Sequence, residues 1–155
     1  MRRSKRSSFS VTRQTVFGHF FSHQRDIELQ RKDVAPIMVY FDGYLKHLGV
    51  TEDTIPAIEQ SYFALLDLLN AHFLQWPYLL GGRQRPADFG LVVLLYAHLS
   101  RDPHSSHEMK MNAPQVFRWT ERMNEAGIVD GEFSDLASDY LADGTLPDTL
   151  VPVLR

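Results

Sequence analysis

The sequence predicts an all-α fold, a helical bundle around a buried central helix, and three observations predict it. Pro86 and Asp88 open an apolar run in which Phe89, Leu91, Val92, Val93, Leu94, Leu95, Tyr96, Ala97 and Leu99 leave no polar stripe. A helix of that kind has no face to give to water and belongs at the centre of a core. Ile37, Met38, Phe41, Tyr44, Leu45 and Leu48 recur at three and four residues. So do Ile55, Ile58, Tyr62, Leu65, Leu66, Leu69 and Phe73, which is the period of a one-sided helix. Val92 and Val93 would suit a buried strand, but the uninterrupted run is longer than strands usually are.

In chain order, Phe17, Phe20, Phe21, Gln24, Ile27 and Glu28 give a patchy helical period up to Arg31. Asp33 reads as an N-cap with Pro36 in the turn after it, starting an amphipathic helix that ends at Gly49. The two segments also read as one long helix kinked at Pro36. Thr54 caps the next helix, with Pro56 in its first turn, and Pro77 stops it. Gly81-Gly82 reads as a turn. Pro86 is pre-set for the first turn of the central helix, where its missing N–H is not needed, and Asp88 puts a carboxylate at the positive end of the dipole. Arg101-Asp102-Pro103 closes that helix, and His104 to Met111 reads as a polar loop. Asn112 with Gln115 offers a capping box for a helix carrying Val116, Phe117, Trp119, Thr120 and Met123 to Gly127. Beyond it, Leu136, Tyr140 and Leu141 suggest one short helix, and Pro147 and Pro152 break a surface tail.

The 155 residues carry a net charge of −3 and no cysteine. That length suits one domain burying roughly 70% of its unfolded surface. The absence of thiols excludes a disulfide framework, a thiol nucleophile and a zinc–thiolate site, and a cytoplasmic location is the default expectation. The slight acidity supplies no global pull toward nucleic acid, and no run is apolar and long enough to span a bilayer. Neither nucleic acid nor membrane is therefore expected as a partner. Arg2, Arg3, Lys5, Arg6 and Arg13 precede the first acid, Asp26. This basic front reads as a solvated linker, with a transit peptide or a nucleic-acid or membrane arm as the alternatives. The expected organisation is 1–16 basic linker or remnant of an inter-domain connection, 17–127 helical domain, and 128–155 acidic extension.

The order of an amphipathic helix, a Tyr-Leu-Leu-Gly-Gly loop, Ala-Asp-Phe-Gly opening a buried helix, then Arg-Asp-Pro, Ala-Pro and Phe-Arg-Trp-Thr-Glu-Arg-Met resembles the C-terminal helical domain of glutathione S-transferases, from about Ala35 to about Asn124. Asp88 matches the Asp of that family's N-capping box and hydrophobic staple. Arg85 and Gln84 stand where the motif has Ser or Thr and an apolar residue, and a guanidinium has only donors. Half of the reciprocal cap is thus missing, as is one arm of the staple. The signatures of the thioredoxin-like domain that precedes the helical one in this family do not occur. The resemblance therefore implies the helical half of a transferase, truncated at the inter-domain connection and inactive alone. It binds no cofactor of its own, and glutathione is a co-substrate only when a thioredoxin-like domain is supplied.

Candidate chemistry is thin. His19 and His23 have the i,i+4 spacing of a metal pair, but the Glu of HExxH and a third ligand are missing. His104 and His107 beside Asp102 and Glu108 read as a solvated cluster, and no metal site is expected. No nucleophile elbow or phosphate loop occurs, so no catalytic residue is assigned. Tyr40, Phe41 and Tyr44 cluster on one side of the first clear helix. The resemblance places that helix beside the electrophile, and apolar rings with hydroxyl tips suit such a pocket; core packing is the competing explanation.

Two readings stand: a transferase-like wall for a hydrophobic small molecule, or a non-catalytic helical protein–protein interaction module. The partners implied are a second copy in a homodimer or a thioredoxin-like domain in trans. An exposed apolar patch around Phe17, Phe20, Tyr40 and Tyr44 is expected if this surface is bare.

Overall fold

The N-terminal helices start where a carboxylate can take the first free N–H groups. In the computed structural model, which describes residues 15–125, 131–142 and 144–155, residues 15–21 form α1 and Ile27–Leu45 form α2. The basic segment 1–13 and the Gly127 helix stop lie outside the described residues. Asp26 caps α2, accepting from the N–H groups of Glu28 at 2.9 Å and Leu29 at 3.0 Å. The expected cap, Asp33, is instead inside the helix, where its carboxylate takes the Ser22 hydroxyl at 2.6 Å. The expected helix over 17–31 is broken between α1 and α2, and α2 runs on through Pro36. Gln30, Val34 and Met38, four residues apart, are its buried row. Gly18 lets α1 approach α2 closely, since a Cβ there would lie 2.9 Å from Gln30 Cβ.

Among the described residues there is helix and no named strand, as an all-α class requires. The chain divides into two units, one up to Glu59 and one from Gln60 onward. α3, Ile55–Phe73, starts in the first and supplies Leu66, Leu69 and Phe73 to the core of the second. The Thr54 hydroxyl, expected to cap α3, instead closes the turn before it, donating to the Gly49 carbonyl at 2.6 Å and accepting from Thr51 N–H at 2.8 Å.

The centre of the second unit is not the apolar helix that the sequence places there. α4, Pro86–Leu94, continues as a π-helical turn, Leu95–Leu99. Only Asp88 and Leu95 are buried along it, while Phe89, Val93 and Leu94 are 54%, 55% and 58% exposed. The helix expected to be buried on every side thus has one open apolar face. Its composition permits burial all round, but neighbours cover only one side, and large apolar residues are not confined to interiors. The deepest packing lies where Phe73 of α3 meets Trp119, their rings stacked at 4.8 Å.

The polar loop expected over 104–111 is α5, Pro103–Asn112. Asp102 caps it through the N–H groups of His104 and Ser105, and Pro103 occupies the first position, where no N–H is needed. α6, Pro114–Asn124, follows directly. Its expected capping box does not form. Asn112 donates to Glu108 at 2.8 Å, and the Gln115 N–H is taken at 2.9 Å by Asn70 of α3.

Buried polar side chains fix the loop between α3 and α4. Arg122 donates to the Pro77 carbonyl at 3.0 Å, His72 Nε2 lies 3.2 Å from the Tyr78 carbonyl, and Asp88 takes the Leu79 N–H at 2.9 Å. Consecutive peptide groups are thereby satisfied by α6, α3 and α4, as buried backbone requires. The second Asp88 oxygen takes the Arg85 N–H at 2.9 Å, while the Asp88 N–H donates to the Arg85 carbonyl. The capping exchange therefore runs through the Arg85 backbone, and its side chain makes no cap bond.

The C-terminal segment departs furthest from expectation. Leu136, Tyr140 and Leu141 form no helix, and short 3-10 turns occur at Gly131–Phe133 and Val151–Leu154. Nor does the segment simply lie on the surface: Leu150 is in the core. Glu132 bridges Arg118 and Arg122 of α6, and Asp139 accepts the Gly82 N–H at 3.0 Å. A Cβ on Gly82 would lie 2.0 Å from the Ala137 carbonyl oxygen, and Gly81 has φ +115°, so both positions of this turn need glycine.

Candidate functional site

The N-terminal unit carries a row of aromatic rings along α1 and α2. Phe21 stacks on Phe17 at 5.7 Å, and Phe17 meets Phe41 at 6.1 Å. Phe41–Tyr40, Tyr40–Tyr44 and Tyr44–His47 follow at 6.0 Å each. Helical spacing produces most of it: 17 and 21, and 40 and 44, are neighbours on a helix surface. The close approach at Gly18 helps bring the two runs together.

The row is open. Tyr40 is 67%, Phe41 44% and Tyr44 51% exposed, so core packing does not account for these side chains. Phe20 and Phe21 are also exposed, and Phe17 is half-buried. The expected patch around Phe17, Phe20, Tyr40 and Tyr44 is thus largely bare. The Tyr40 and Tyr44 hydroxyls make no hydrogen bond among the described residues. Ring faces flanked by free hydroxyls can stack on an apolar or aromatic partner and orient it through a few polar points. Phe21, which the sequence marks only as part of a helical period, and His47 complete the row without being candidate site residues. The i,i+4 spacing of Phe17 and Phe21, and the i,i+3 spacing of Tyr44 and His47, were the available signals.

No family model, curated protein or solved structure matches this chain.

The other candidates do not assemble. His19 is on α1 while His23 lies beyond its end, so the pair does not share a helix face. His104 and His107 are on α5, where Asp102 is engaged as the cap and Glu108 by Asn112. Among the described residues no group of three or more His, Asp or Glu side chains is placed to hold a metal ion. None of their helices is long and apolar enough to cross a membrane. Pro86 and Asp88 occupy the start of α4 as expected. Asp88 is fully buried, and burial pushes its carboxyl above the usual range against the opposing effect of its donors. The Trp119 indole N–H makes no hydrogen bond of regular geometry, yet it faces this carboxylate closely enough to favour the anion. These groups hold the loop rather than a ligand.

Proposed function

We propose that this chain is a glutathione-transferase-like helical domain whose aromatic row on α1 and α2 is the binding wall for a hydrophobic small molecule. The exposed row Phe41–Tyr40–Tyr44, which the half-buried Phe17 joins from α1, carries the proposal. Such rings have no packing role to explain them and match the side of the domain that the family resemblance assigns to the electrophile. The helix order and the Arg85–Asp88 capping exchange support the same resemblance. Fold analogy alone would not reach function; the row is what points to binding.

In this reading the domain orients an electrophile and leaves thiol activation to a thioredoxin-like domain, in cis or in trans. Positioning of this kind speeds a reaction by removing the entropy of encounter. The test is glutathione conjugation to chlorodinitrobenzene alongside binding of the electrophile alone. Binding without turnover by this chain, and turnover on adding a thioredoxin-like domain, are the expected results. Turnover by residues 1–155 alone, or no binding, contradicts it.

A non-catalytic interaction module is the second reading, and the open α4 face of Phe89, Val93 and Leu94 favours it. Contiguous apolar surface of this sort marks association sites. Analytical ultracentrifugation distinguishes the two: a homodimer dissociated by Val93→Glu, with no binding of small electrophiles, supports the module.

A further inference from the structure

We propose that His72 is an acid-released latch on the C-terminal segment, holding Pro147 to Arg155 against the helical core while its ring is neutral and letting that segment go when the ring takes a proton.

The geometry fixes the protonation state. His72 is fully buried. Its Nε2 lies 3.2 Å from the Tyr78 carbonyl, which can only accept, so Nε2 carries the hydrogen. Nδ1 is therefore bare and takes the Thr149 hydroxyl at 2.8 Å. The next residue, Leu150, enters the core, and Val153 packs against it from the closing 3-10 turn. One neutral imidazole thus joins α3, the loop between α3 and α4, and the segment from Pro147.

A second proton would sit on Nδ1 and reverse that bond, so that the Thr149 oxygen accepts and its own hydrogen loses the ring as acceptor. It would also place a cation in a site that no carboxylate among the described residues serves. Asp88, from α4, has its oxygens on the Leu79 and Arg85 N–H groups. Arg122, from α6, is a cation bonded to the preceding carbonyl of the loop, that of Pro77. Asp67 on α3 and Asp148 beside Thr149 are exposed. Burial accordingly lowers the His72 pKa from 6.5, with the Tyr78 carbonyl alone opposing the shift. The sign follows: the neutral, latched form is at full strength above pH 6.5 and weakens as pH falls below it. Release is local because Leu150 and Val153 are the segment's members of the core cluster, whereas Phe73 and Trp119, stacked behind them, belong to α3 and α6.

Hydrogen exchange of the whole chain, corrected for the intrinsic pH dependence of exchange, tests this. Amides of residues 149–155 should lose protection by up to about tenfold per pH unit below 6.5, the slope of one proton, while those of 62–73 and 114–124 keep theirs. In His72→Gln, whose amide can serve both contacts without titrating, the slope should vanish. Simultaneous loss in all three regions, no pH dependence, or a slope that survives in His72→Gln overturns the proposal. Should that variant not fold, the comparison of regions in the unaltered chain decides.

Discussion

Asp88 takes the backbone N–H of Leu79 at 2.9 Å and, with its other oxygen, that of Arg85. One buried carboxylate therefore closes both ends of the loop that carries Gly81 and Gly82. Removing it in Asp88→Ala orphans both donors, and each buried donor left unpaired costs about 1–3 kcal/mol. Urea unfolding should show that loss, with a smaller one for Asp88→Asn, which keeps one acceptor. Because burial raises this carboxyl above 3.8, the folded chain takes its proton before the unfolded chain does. The cost of ionising it in the folded chain is absent below pH 3.8 and grows as pH rises toward the folded value, so stability falls over that window. Asp88→Asn should remove that slope, and an unchanged midpoint in Asp88→Ala would refute the role.

Gly82→Ala should free the segment around Asp139 from the loop. The added methyl meets the Ala137 carbonyl oxygen at 2.0 Å, a backbone contact that no rotamer change relieves. Limited proteolysis should cut residues 134–142 faster in this variant, with the helical content unchanged. Gly90→Ala is the control, since nothing lies within 4 Å of a Cβ there, and Ala favours helix over Gly by about 1 kcal/mol.

How much of this was legible beforehand depended on whether the signal was local. Pro86 with Asp88 announced the start of α4 because the cap lies within a single turn. Asp102-Pro103 has the same grammar, but polar residues 104–108 obscured α5, whose buried side chains are only Ser106 and Met109. The pairings His72–Thr149, Asn70–Gln115 and Arg122–Pro77 join distant parts of the chain and leave no periodic trace. The same holds for Leu150, which reads as tail and packs as core. Exposure of the α4 face was hidden for the opposite reason: hydropathy records what a residue tolerates, and the neighbours decide what it receives. The tyrosine cluster on α2 and its patch with Phe17 and Phe20 were legible in the sequence, whereas the ring contact of Phe17 with Phe41 comes from α1 lying against α2.

Tyr62 gives a pH test at the alkaline end. Burial, then Glu108, then Asp102 push its phenol from 10.0 up to about 12, and its hydroxyl donates to the Ser105 carbonyl at 3.3 Å. The folded chain therefore holds this proton after the unfolded chain has lost it. The stability it contributes is complete below pH 10.0 and is lost as pH rises through about 12. Ultraviolet titration should show a late phenol that disappears in Tyr62→Phe; a late step unchanged in Tyr62→Phe would contradict the assignment.

The most direct measurement is equilibrium binding of a hydrophobic fluorescent dye and of chlorodinitrobenzene to the unaltered chain and to Tyr40→Ser/Tyr44→Ser. Both side chains are exposed, so circular dichroism and melting should remain as in the parent. The account predicts that the double substitution weakens binding at least tenfold, about 1.4 kcal/mol. Equal affinity in the two proteins would place the binding surface elsewhere and contradict the role of the aromatic row.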